Sequence, residues 1–158
     1  MKQFYQDLVT IEPPARPTHD STEVAGATVK SFLDAADRLH VRITAALRTV
    51  GLTWPKFEVL DQLRHAPDNS LALRILAECQ SCAASNMTQL VDRLEREGLV
   101  QRVDDPDDRR SIRAELTAAG LEAAIAGEAQ LEGVREYYRT RFTEDERVEL
   151  GRLVDKID

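Results

Sequence analysis

Two arginines, Arg109 and Arg110, follow four aspartates and a proline in the run DDPDDRRSIRAELTAAG, Asp104 to Gly120. A guanidinium is a planar fork of N–H donors that matches phosphate and carboxylate oxygens. The neighbouring aspartates therefore leave two readings open: a solvated acidic turn, or a cation held stiffly for delivery to an anion. A second grouping, Cys79-x-x-Cys82, has a spacing used for metal binding and for thiol–disulfide chemistry. Zinc would need two more ligands, and His19, His40 and His65 show no ligand spacing. There is no Ser/His/Asp or Cys/His set, glycine-rich phosphate loop or metal-spaced cluster. The chain is thus not read as an enzyme, and no catalytic residue, metal or cofactor is expected.

These groups must be positioned by 158 residues, about the length of one ordinary domain. Apolar residues at 42%, charged residues at 31% and aromatics at only 5% favour helices over a sandwich or barrel. The formal charge of −7 rules out a uniformly basic surface, although a local groove of arginines can still face a polyanion. No apolar run is long enough to span a bilayer, and the first twenty residues lack the hydrophobic stretch of a signal peptide. Two cysteines are too few for a secreted disulfide framework. A cytoplasmic protein without membrane contact is expected.

Residues 1–23 read as an arm, with Pro13, Pro14 and Pro17 behind a small apolar patch of Phe4, Tyr5 and Leu8. From Val24 the apolar series Val29, Phe32, Leu33, Ala36, Leu39, Ile43, Leu47 and Val50 has the spacing of one helical face, and Gly51 supplies the stop. Thr53 can cap a second helix with Pro55 in its first turn and Phe57, Leu60 and Leu63 inward. LALRILAECQ and AASNMTQLVDRLEREG, separated by Ser81, Cys82 and Ala83, form a helix-turn-helix. LVQRV and SIRAEL then make a hairpin with a long tip, Ile112, Ala114 and Leu116 alternating against Arg113 and Glu115. Thr117 opens a long helix with Leu121, Ala124, Ile125, Leu131, Val134 and Tyr138 on its inner side. Thr143 and Glu146 form a capping box for a last helix carrying Leu150, Leu153 and Ile157.

A helix-turn-helix followed at once by a hairpin is the winged form of the motif. In LTWPKFEVLDQL, MTQLVDRLEREGLVQR and DDPDDRRSIRAELTAAG the sequence resembles the MarR (multiple antibiotic resistance regulator) family, continuously from about Leu52 to Gly120. The expected fold is mainly α with a small β-hairpin wing. Residues 24–158 would form a single domain, with 52–116 as the winged helix-turn-helix lobe. The resemblance implies that 24–51 and 117–158 supply dimerisation helices. It also implies a transcriptional regulator, a repressor that binds a palindromic operator in double-stranded DNA as a homodimer and is released by a small-molecule effector.

On the recognition helix, Met87, Leu90, Val91 and Leu94 cluster on one side. The other side presents Ser85, Asn86, Thr88 and Gln89, short and uncharged, which suits close approach to base edges; amides pair bidentately with adenine. Arg93 and Arg96 can reach phosphates. The resemblance matches Asp108 and Arg110 to the family's Asp-x-Arg wing pair, so that Arg110, beside Arg109, enters the minor groove with Asp108 bracing it. It also matches Asp92 to an aspartate that pairs with the same wing arginine, and it places a ligand pocket near His40, Trp54 and Phe57. Where the family usually has Ser or Thr helix caps this chain has Ala72 and Ala83, so capping there is weaker or shifted to Ser81 or Ser85. Two further readings stay open: a redox-sensing regulator acting through Cys79 and Cys82, and a winged-helix adaptor that binds a protein instead of DNA.

Overall fold

The computed structural model describes residues 19–106, 108 and 111–156. Its elements run α1 (His19–Arg48), α2 (Trp54–His65), a 3-10 turn (Pro67–Asn69), β1 (Ser70–Ala72), α3 (Leu73–Cys79), α4 (Ala84–Arg96), β2 (Val100–Asp104), β3 (Ile112–Leu116), α5 (Ala118–Arg139) and α6 (Glu144–Val154). The chain is mostly helical with one small antiparallel sheet, the class expected from its sequence. No helix among the described residues is long and apolar enough to cross a membrane. Contacts divide the chain into two units, one up to His40 and one from Val41 onward, with the boundary inside α1.

In the first unit α1 begins at His19 rather than Val24, and the rest of the expected arm lies outside the described residues. Val29, Phe32 and Leu33 recur at helical spacing, yet all three are exposed. Lys30 reaches Asp34 one turn on, at 3.2 Å.

The second unit owns the core. Leu47 from the end of α1, Leu60 and Leu63 from α2, Leu76 from α3, Met87, Val91 and Leu94 from α4, and Val100 and Ala114 from the sheet form one buried cluster. Phe57 joins it, so the three inward residues expected in α2 are all buried. Thr53 holds the N-cap position of α2 with extended backbone but makes no side-chain cap bond. The capping box of Thr143 and Glu146 forms as read.

The sheet has order β1-β3-β2. Its third strand is a correction: Ser70–Ala72 pairs with Arg113–Glu115, whereas LALRILAECQ reads as wholly helical. Three residues are too few for alternation to show, and LAL fits either period. A second correction concerns α5, where Leu121 and Ile125 are 36% and 53% exposed. The lobe is met instead by Gly120, Ala124, Gly127 and Leu131, a stripe spaced four, three and four. Residues one place further round turn about 100° away from it.

The run Thr117-x-x-Gly120 now has a cause. The Thr117 hydroxyl accepts from the Gly120 N–H at 3.0 Å and donates to the Gly98 carbonyl at 2.7 Å. The Thr117 N–H reaches the Leu99 carbonyl at 3.1 Å. A Cβ on Gly120 would stand 1.9 Å from that same oxygen, so only glycine lets α5 start against the joint between α4 and β2.

Candidate nucleic-acid interface

Helix α4 buries Met87, Val91 and Leu94, with Leu90 partly covered, and leaves Ser85, Asn86, Thr88, Gln89, Arg93 and Arg96 exposed. The expected polar face is therefore the solvent face. Ser85, Asn86, Gln89 and Arg93 make no side-chain hydrogen bond among the described residues. Thr88 donates its hydroxyl proton to the Ala84 carbonyl at 2.9 Å, which leaves its oxygen as an acceptor. Arg96 is turned back, its Nε donating to the Asp92 carbonyl at 3.1 Å.

The turn before this helix uses a six-to-one and five-to-two pattern of backbone bonds. Cys82 N–H reaches the Ala77 carbonyl at 3.0 Å and Ser81 N–H that of Glu78 at 3.1 Å, with Ser81 at φ 47°. Neither Ala72 nor Ala83 makes a side-chain cap bond, and no serine replaces them: Ser81 closes α3, and Ser85 lies inside α4. Cys79 is exposed and Cys82 partly buried against the core, both as free thiols. Cys82 takes the place after the left-handed residue where such helix ends usually carry an apolar contact.

Arg102 ties the wing to the recognition helix. Its Nη2 lies 2.6 Å from the Asp92 carboxylate and 3.3 Å from the Thr88 carbonyl, Nη1 pairs with Glu95, and its backbone N–H donates to Glu95 Oε1 at 3.0 Å. The Arg102 side chain is 24% exposed, while the Asp92 and Glu95 carboxylates that hold it are 47% and 39% exposed. Asp92, which the resemblance pairs with Arg110, pairs here with Arg102 at the base of the wing. Arg109, Arg110 and Asp107 lie outside the described residues; Asp108 is exposed, and its carbonyl accepts from the Ser111 N–H at 2.8 Å.

A cleft of about 450 Å³ opens between Pro55 and Glu58 of α2 and Asn86, Gln89 and Arg93 of α4. Burial raises the Glu58 carboxyl above its ordinary range, opposed by a hydrogen bond from the Trp54 side chain. Trp54 and Phe57 have ring centroids 5.9 Å apart, and Phe57 is buried beside Gly127, where a Cβ would come within 2.6 Å of its ring. His40 is an exposed residue of the first unit.

The family model described as MarR family matches residues 52–112. The HTH-type transcriptional repressor Rv2887 of Mycobacterium tuberculosis is 32% identical over 119 residues, 75% of this chain and 84% of that repressor. The chain belongs to the MarR family. Among solved structures, the MarR family regulator Sco3205 of Streptomyces coelicolor, in complex with DNA, superposes with a TM-score of 0.79 at 26% identity, covering 93% of this chain and 91% of Sco3205. CouR from Rhodococcus jostii, bound to p-coumaroyl-CoA, shares the fold at a TM-score of 0.68 and 22% identity, over 78% of this chain and 86% of CouR. The protein is a winged-helix transcriptional regulator.

For this MarR-family chain the sequence reading missed Arg102. A signal was present: Arg102 sits two residues after buried Val100, on the inward register of β2, and Asp92 and Glu95 are three apart on one helix face. An inward arginine needs carboxylates, and those were the two available. The contact of Arg113 with Ser70 was missed because it depends on β1.

Proposed function

We propose that the chain is a repressor that binds a palindromic operator as a homodimer and releases it on binding a small ligand. One observation carries the DNA-binding part: the uncharged N-terminal half of α4 lies open to solvent while its apolar side is buried, and the wing base is braced on that same helix. A chain with net charge −7 gains little from diffuse attraction, so local donors and acceptors must supply recognition. In this reading Asn86 and Gln89 pair with base edges, Ser85 and Thr88 accept or bridge, and Arg93 and Arg96 hold phosphates. Arg110 enters the minor groove with Arg109 beside it and Asp108 as its brace. The DNA complex of Sco3205 supports the assignment.

Two apolar stripes support self-association. Val29, Phe32 and Leu33 of α1, and Leu150, Leu153 and Val154 of α6, stand exposed at helical spacing, a pattern that elsewhere marks surfaces awaiting a partner. Trp54 and Phe57 of the second unit are effector-pocket candidates, and the p-coumaroyl-CoA complex of CouR supports a small-molecule effector for this fold.

The test is selection of duplexes from a random pool by the full chain, followed by shift assays across salt and a footprint. Two protected half-sites about 10 base pairs apart, lost steeply with salt, are expected. Failure to select any duplex at low salt overturns the reading in favour of a protein-binding adaptor.

A further inference from the structure

The wing hairpin has two faces, and an arginine leaves each of them. Arg102 pairs in register with Ala114, whose side chain is fully buried, and reaches α4 from that face. Arg113 pairs with Val103 and Ala72, one residue out of step, so it leaves the opposite face. Two of its nitrogens make hydrogen bonds and the third stands at ion-pair distance from a carboxylate. Nε donates to Ser70 Oγ at 3.0 Å, Nη2 to the Ser70 carbonyl at 2.8 Å, and Nη1 stands 3.7 Å from the Asp105 carboxylate.

Both partners are in sheltered places. Ser70 is 5% exposed, the one polar or charged residue in the buried class among those described, and it begins the edge strand β1. The Asp105 side chain is 11% exposed, and its N–H closes the base of the wing loop on the Ser111 carbonyl at 3.2 Å. One rigid guanidinium therefore bridges a strand anchored under the lobe to the residue at which the wing leaves the sheet.

We propose that Arg113 is a positioning residue that fixes where the wing stands, and so sets the share of base discrimination that the wing contributes. This rests on the DNA-binding reading above and names a residue that acts without touching DNA. Holding the base of the wing in one position before encounter removes an ordering cost from binding. That gain is spent only beneath the wing. Base pairs under the N-terminal half of α4 are read by side chains whose helix is packed independently of Arg113.

The experiment uses the full chain and a duplex it selects from a random pool, together with a second duplex whose base pairs beneath the wing are changed from A·T to G·C. The wild type should prefer the first. In Arg113→Met that preference should fall about five- to tenfold, while selectivity against changes under α4 stays the same. The salt slope should also hold, because a lost phosphate contact would lower it by about 0.9. Simple loss of folded protein would weaken both duplexes equally, which separates positioning from stability. Arg113→Lys should not restore the preference, since an ammonium cannot hold Ser70 and Asp105 at once. Should Arg113→Met fail to fold, Asp105→Asn weakens the ion pair while keeping the size of the side chain, and should show the same selective loss at smaller size. Unaltered preference in the folded variants overturns the proposal, as does a reduced salt slope or a wild type indifferent to the base pairs beneath its wing. A wild type that selects no duplex sinks the DNA-binding reading itself.

Discussion

The stripe of α5 that meets the lobe is made of Gly120, Ala124, Gly127 and Leu131, while the stripe beside it carries Leu121 and Ile125 into solvent. The same contrast runs through the second unit. Leu60, Leu76, Met87 and Leu94 are fully buried around the reading helix, whereas Val148, Leu150 and Leu153 of α6 are about half exposed or more. The lobe closes its own core; the flanking helices display faces that it does not cover. Within α5, glycines mark the points of closest packing, because the approach to α2 and to the α4–β2 joint leaves no room there for a Cβ. Large apolar residues one place round the same helix mark a surface with another use.

The sharpest way to break the comparison lies within α5. Gly120→Ala would push a Cβ against the Leu99 carbonyl oxygen, a backbone atom that cannot step aside, and should destabilise the fold by roughly 4 kcal/mol, the range reserved for severe core defects. Gly133→Ala, with nothing within 4 Å of its added Cβ, should instead raise stability by about 0.5–1 kcal/mol. Urea unfolding of the two variants gives the comparison directly, and equal effects would mean that the packed stripe is misplaced.

Next in size is a pair of leucines. Leu94→Ala should cost about 2–5 kcal/mol, since it empties a fully buried site under the reading helix. Leu153→Glu should leave the cooperativity of lobe unfolding intact and, on the proposed homodimer, change the sedimentation of the protein from dimer to monomer. Loss of lobe stability by Leu153→Glu alone would show that α6 belongs to the same core.

Within the lobe, Arg102→Met should weaken operator binding by about 1–3 kcal/mol, because the wing base loses its hold on Asp92 and Glu95. Asp92→Asn should do less, as Glu95 and the Thr88 carbonyl still hold the guanidinium. Competition shift assays rank the two; the reverse order would remove Arg102 from the centre of the brace.

The same contrast explains what could be read in the sequence. Elements whose signal is local were legible: the amphipathic α4, the inward Phe57, Leu60 and Leu63 of α2, the wing strands, and the Thr143/Glu146 box. Features that depend on partners distant in the chain were not. Strand β1 exists because β3 offers it an edge, Arg113 finds Ser70 only once that pairing is made, and Leu121 and Ile125 fit an inward periodicity until Gly120 and Gly127 fix which stripe approaches the lobe. The resemblance pairs Asp92 with Arg110, which lies outside the described residues, whereas the partner that Asp92 meets in the structure is Arg102.

The smallest effect concerns how the reading helix is introduced. Three helices end with the same pair of backbone bonds: α1 at Gly51, α4 at Gly98 and α3 at Ser81, with φ of 74°, 73° and 47°. Two use the residue that adopts the left-handed region freely, and the third forces a Cβ into it. Ser81→Gly should therefore stabilise the protein, the relief of strain at about 1 kcal/mol being partly offset by the greater freedom of glycine in the unfolded chain. A net gain of about 0.5 kcal/mol in urea unfolding, with operator affinity unchanged, is expected if the turn merely connects α3 to α4. A gain in stability accompanied by weaker DNA binding would instead show that the serine holds α4 at an angle that glycine lets relax.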